Sequence, residues 1–135
     1  MRPAAAMAGM ASAAMLLAPG CGAAPKSSPS ADEPVRRANF RSLAARDFLL
    51  SCAGAAGRGE TRIATARHEE LKQLGVGAEA GHALALGEND WAGLQRHDRR
   101  APCAAGETPY RAALAAYGRS LDALAARLAD HGAVQ

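Results

Sequence analysis

The chain has 135 residues, a formal charge of +3, and an apolar fraction of 49% that contains only 4% aromatics. The length allows one domain of ordinary size, and Val and Ile are confined to Val35, Ile63, Val76 and Val134, which argues against a β-sheet. Acidic residues are interspersed among the arginines, so no basic stripe marks a nucleic-acid surface, and the excess of Arg over Lys reads as genomic composition.

Arg2 is the only charged residue before Lys26, and the segment from Ala4 to Ala18 is apolar, built from Ala and Met with a Leu16-Leu17 pair. A positive start, a short apolar core and small residues at the exit are the parts of a secretory signal. The run covers about 15 residues, short of the roughly 20 that span a bilayer. No later segment approaches that length without charge.

The end of this segment, Leu16-Leu17-Ala18-Pro19-Gly20-Cys21, resembles the lipobox of bacterial lipoproteins. Gly20 and Cys21 match that pattern. Ala18 stands where Leu is preferred, and Pro19 is unusual at its place. The resemblance covers these few residues alone. It implies a signal peptide over residues 1–20, a lipid such as palmitate on Cys21, and a membrane anchor. Gly22, where Asp would favour the inner membrane in enteric bacteria, implies the outer membrane. The competing readings are ordinary cleavage after Gly20 or Ala24, which yields a soluble periplasmic protein, and a chain starting at Met10 or Met15. Residues 21–33 are small, polar and proline-bearing, the composition of a flexible tether.

Three cysteines are an odd number for an exported protein. Lipidation accounts for Cys21 and leaves Cys52 and Cys103 as a pair in an oxidising compartment, where disulfides persist. Two separate buried thiols are the alternative. A bridge would stabilise the chain by about 4 kcal/mol in the loop-entropy model. No Cys-x-x-Cys is present, so neither a thioredoxin-like centre nor a zinc ribbon is indicated.

Residues 34–132 read as a single all-α domain, a bundle of three to four helices. The first helix is predicted from near Pro34, preceded by Asp32 and Glu33, to about Ala55. Phe40, Leu43, Ala44, Phe48 and Cys52 form its apolar face, with Arg36, Arg37, Arg41 and Arg46 largely elsewhere. The glycines at 54, 57 and 59 end it. The second helix runs from about Glu60 to Leu74, with Ile63, Ala66, Leu71 and Leu74 as its buried stripe. A short third helix, about Ala78 to Leu86, is expected to stop at Gly87. Glu88-Asn89-Asp90 follow as a turn, with Asp90 capping a helical turn at Trp91. Residues 95–106 read as irregular.

The last helix has Thr108 as cap and Pro109 at its first position. Tyr110, Leu114, Tyr117, Leu121, Leu124 and Leu128 then recur at alternating spacings of four and three, a coiled-coil-like seam, and Gly132 is the stop. The seam is expected to pack inside the monomer; a homodimer is the alternative.

Few residues suggest chemistry. His68-Glu69-Glu70 has Lys72 where a second helical ligand would stand, so it reads as a solvated face with Arg67–Glu70 and Glu69–Lys72 pairs. His82, Glu88, Asp90 and His97 would suit zinc if they converged, with His82 and His97 as the imidazole ligands. His97-Asp98-Arg99-Arg100 could bind an anion but reads as a solvated loop, and Trp91 reads as a core anchor. Ser42, Ser51, Thr61, Thr65 and Ser120 lie in predicted helices without a nucleophile elbow, and no phosphate loop or dinucleotide fingerprint occurs.

The reading is therefore an exported, non-enzymatic envelope protein without a cofactor, held at a membrane through Cys21, with a binding or structural role. Its partner would be an envelope protein or component met through an exposed helix face or the 87–106 segment. A soluble periplasmic metal- or small-ligand-binding protein is the alternative.

Overall fold

Four helices follow one another in the chain: α1 (Pro29–Ala53), α2 (Gly59–Gly77), α3 (Gly81–His97) and α4 (Glu107–Asp130). The computed structural model describes residues 29–54, 58–77, 79–97 and 102–132. The signal segment, Cys21 and Asp98-Arg99-Arg100 lie outside the described residues. Among the described residues the fold is all-α without strands, and a Cys52–Cys103 disulfide links the end of α1 to the stretch before α4.

α1 packs most extensively on α4 and α3, whereas α2 leans on α4 and α3 and barely meets α1. The core is built from Val35 and Leu49 of α1, Leu71 of α2, Leu84 of α3, and Tyr110, Tyr117, Leu121, Leu124 and Leu128 of α4. The seam expected along the last helix is thus consumed within one chain, with Leu114 only partly buried. Trp91 is buried, and Phe40 meets it edge-on with ring centroids 5.9 Å apart.

The helix boundaries differ from expectation where tertiary contacts intervene. α1 begins at Pro29, so residues 29–33 of the expected tether are helical and Pro34 lies inside the helix. Asp32 in the first turn accepts from His131 Nε2 at 3.0 Å, which ties this turn to the C-terminal end of α4. The buried face of α1 is also rotated. Phe48 is 40% exposed, while Val35, Ala38, Asn39, Ser42, Leu43 and Leu49 are buried. Because α1 is covered by helices on several sides, its buried arc is wide and takes in polar residues that find partners. Asn39 Nδ2, for example, donates to the Leu84 carbonyl at 2.8 Å.

In α2 the expected stripe fails except at Leu71. Ile63 is 73% exposed and Leu74 is 47% exposed, and the inward positions are Thr61, His68, Leu71 and Gly75. Gly75 lies so close to α3 that a Cβ there would overlap Leu84 Cδ1.

α3 does not stop at Gly87 but continues through it, and the expected Glu88-Asn89-Asp90 turn is helical. A Cβ at position 87 would lie 2.5 Å from the Arg36 carbonyl oxygen and 3.1 Å from Asn39 Cβ. Glycine here permits close approach of α1 and α3 rather than ending a helix. Asp90 caps nothing: it accepts a bidentate pair from Arg36, Nε at 2.6 Å and Nη2 at 2.9 Å. α4 begins one residue before Thr108, after Gly106 at φ 127°, without a side-chain cap. Its C-terminal end is as expected: Gly132 sits at φ 89° and its N–H donates to the Ala129 carbonyl.

The disulfide brings the Cα atoms of Cys52 and Cys103 to 4.9 Å, and the Cys103 N–H donates to Ser51 Oγ at 3.3 Å beside it.

Candidate functional site

The polar residues that α1 and α2 turn inward form a buried cluster. His68, read from the sequence as part of a solvated face, is fully buried, as are Asn39 and Ser42. His68 Nε2 lies 3.0 Å from Asn39 Oδ1 and 3.1 Å from Ser42 Oγ. The Leu84 carbonyl takes the Asn39 amide N–H, so Oδ1 faces the imidazole and can only accept. His68 therefore carries its proton on Nε2. Ser42 donates its own proton to the Asn39 carbonyl at 3.2 Å. Burial, with the positive charges of Arg46 and Lys72, lowers the His68 pKa to about 4, so the ring is neutral. His68 Nδ1 has no hydrogen-bond partner among the described residues.

A serine beside a histidine suggests nucleophilic catalysis, but the protons run the wrong way. A general base must take the hydroxyl proton on a bare nitrogen. Here the nitrogen facing Ser42 is protonated, no carboxylate among the described residues orients the ring from Nδ1, and neither side chain reaches solvent. The cluster positions α2 against α1. Of the surface pairs expected around it, Glu69–Lys72 forms at 3.9 Å, whereas Arg67 reaches Asp122 on α4 at 2.7 Å.

The residues considered for zinc are held apart by the continuity of α3. His82 and His97 are separated by fifteen positions, about 22 Å along a helix axis. His82 is exposed, Asp90 is taken by Arg36, and Glu88 pairs with Lys72 at 2.6 Å. No group of three or more His, Cys, Asp or Glu among the described residues could hold a metal ion. The 87–106 segment, expected as a binding loop, is helical through His97.

Where α2 and α4 begin, charges are tightly matched. Arg111 bridges Glu60 at 2.7 Å and Glu107 at 2.6 Å, and Arg58 reaches Glu107 at 2.8 Å while lying 3.8 Å over the Tyr110 ring. Tyr110 Oη meets Thr61 Oγ1 at 3.0 Å. The Arg111 guanidinium holds the Glu60 carboxyl below its ordinary range, and Arg58 and Arg111 do the same for Glu107. With every charge in this knot satisfied, it serves as a latch between two helix starts.

The opposite condition holds in a cleft of about 510 Å³ between α1 and α4. Arg37 and Arg41 line it from α1, and Arg127 and Ser120 from α4. Pro34, Ala38 and Ala123 leave the space between them. Among the described residues Arg37 reaches only Glu33, one turn away at 3.5 Å, and Arg127 only Asp130 at 3.6 Å. Arg41 is exposed and has no ion pair among the described residues. Helical spacing sets Arg37 and Arg41 largely off the apolar face of α1, but only the way α4 lies on α1 brings Arg127 beside them.

Comparison with protein-family models, curated proteins and solved structures finds no match to this chain.

Proposed function

We propose that this protein is a non-enzymatic binding domain of a bacterial envelope, held at a membrane by a lipid on Cys21. The observation that carries this reading is the Cys52–Cys103 disulfide. It suits an oxidising compartment, and it accounts for two of three cysteines, leaving Cys21, at the end of a segment built like an export signal, as the odd one. The absence of Asp at residue 22 favours the outer membrane on the lipobox resemblance. A rigid bundle whose buried polar groups are inward-facing, with an arginine-lined cleft on its surface, fits binding better than turnover.

Non-reducing intact mass of the protein from separated membrane and soluble fractions tests this. The expected species is a membrane form that begins at a triacylated Cys21 and is two hydrogens lighter than its reduced state. A soluble form, either with an unacylated Cys21 or cut beyond it, would refute the anchor.

A further inference from the structure

We infer that the α1–α4 cleft is a binding site for a phosphate group. Two groups of arginines among the described residues contrast. Those that join helices are matched at close range: Arg36–Asp90 at 2.6 Å, Arg67–Asp122 at 2.7 Å, Arg111–Glu60 at 2.7 Å and Arg58–Glu107 at 2.8 Å. Those lining the cleft are not. Three arginines line the cleft, and against Glu33 and the Asp130 that Arg127 reaches they leave one positive charge in excess. The nearest carboxylates to Arg37 and Arg127 sit on their own helices, at separations set by one helical turn.

Guanidinium groups drawn from two helices around one space suit a tetrahedral anion. Each fork can give two parallel N–H bonds to phosphate oxygens. The cleft is larger than a bare phosphate, and its alanines and Pro34 offer an apolar wall to whatever the phosphate is esterified to. The ligand is therefore a phosphate ester, met as a phospholipid headgroup or as a soluble phosphate compound.

The position of the cleft favours the headgroup. It opens beside the first turns of α1, and Pro29 stands eight positions after Cys21, a reach of at most about 28 Å. A lipid on Cys21 would thus keep the cleft near the membrane surface. This choice of source rests on the anchoring proposed above; the phosphate chemistry does not.

The test uses the full chain carrying Cys21→Ser, so that attachment to lipid cannot arise from acylation. Inorganic phosphate is titrated by calorimetry at constant ionic strength. Flotation is measured with phosphatidylglycerol-containing and with pure phosphatidylcholine vesicles. Arg41→Gln alters an exposed, unpaired side chain and is expected to weaken binding about tenfold or more, the loss of one charge-assisted contact. Arg119→Gln, exposed on α4 outside the cleft, should leave binding unchanged. Flotation with the anionic vesicles that Arg41→Gln abolishes assigns the headgroup. Saturable phosphate binding without flotation assigns a soluble ester. Absence of both, or equal losses in the two variants, overturns the site. A failed anchor in the mass measurement leaves the calorimetric arm standing, so the two proposals fail separately.

Discussion

Ser42 Oγ and His68 Nε2 meet at 3.1 Å across α1 and α2, with neither side chain exposed to solvent. The meeting is one step in a chain of constraints. The Leu84 carbonyl orients the Asn39 amide, the amide fixes the proton on His68, and that proton leaves Ser42 as an acceptor. Three helices are thereby aligned by polar groups whose geometry admits few alternatives.

Acid should loosen this cluster before it affects the surface pairs. The folded pKa of His68, about 4, lies below the ordinary 6.5, so the neutral ring stabilises the fold fully above pH 6.5. That contribution is lost as pH falls from 6.5 towards 4, up to about 3 kcal/mol. Arg46 on α1, Glu69 and Lys72 on α2 and Glu88 on α3 supply the surrounding charges. Asp90, Glu60 and Glu107 also titrate below their usual range, and their contribution is lost only at lower pH. Urea unfolding between pH 7.5 and 4.5 should show the drop, and His68→Gln should flatten it. A stability flat across that interval would contradict this assignment.

Two glycines inside helices should respond oppositely to alanine. Gly118 has nothing within 4 Å of an added Cβ, so Gly118→Ala should stabilise by about 0.5–1 kcal/mol through helix propensity. Gly87→Ala gains the same propensity but drives a Cβ into the backbone of α1, and should cost about 1–3 kcal/mol overall. Thermal melts of the two variants decide it; a Gly87→Ala protein more stable than the parent would mean that α1 and α3 are not so close.

The disulfide closes a loop of 51 positions, so its removal should cost about 4 kcal/mol in the chain-entropy model. The double substitution Cys52→Ala and Cys103→Ala should lower the urea midpoint strongly while helical circular dichroism persists below it. An unchanged midpoint would show that the bundle does not depend on the link.

Tyr117 is fully buried and its hydroxyl has no partner among the described residues; burial pushes its pKa up to about 12. Tyr117→Phe removes a desolvated polar group at nearly constant shape and should leave stability unchanged or raise it by about 1 kcal/mol. It should also blunt alkaline unfolding, since the raised pKa makes the phenol's contribution disappear between pH 10 and 12. A marked destabilisation would reveal a partner for the hydroxyl.

The legible parts of this fold were those written in local periodicity. Tyr110, Tyr117, Leu121, Leu124 and Leu128 recur at heptad spacing and are all buried, because a long apolar stripe has only one face to offer. In α2 the same logic selected Ile63 and Leu74, which are exposed, over Thr61 and His68, which are buried. Hydrophobicity cannot rank a histidine above an isoleucine. A hydrogen-bond partner on another helix can, and Asn39 and Tyr110 are 29 and 49 positions away.

By itself the sequence determined the all-α class, the last helix with its glycine stop, and the pairing left to Cys52 and Cys103 once Cys21 is set aside. These depend on composition, spacing and number. Tertiary structure alone decided that Gly87 lies within a helix, that His68 is buried and neutral, and that Arg37, Arg41 and Arg127 share one cleft. Each depends on which helix faces are pressed together, and that is set by the fit of side chains distant in the chain.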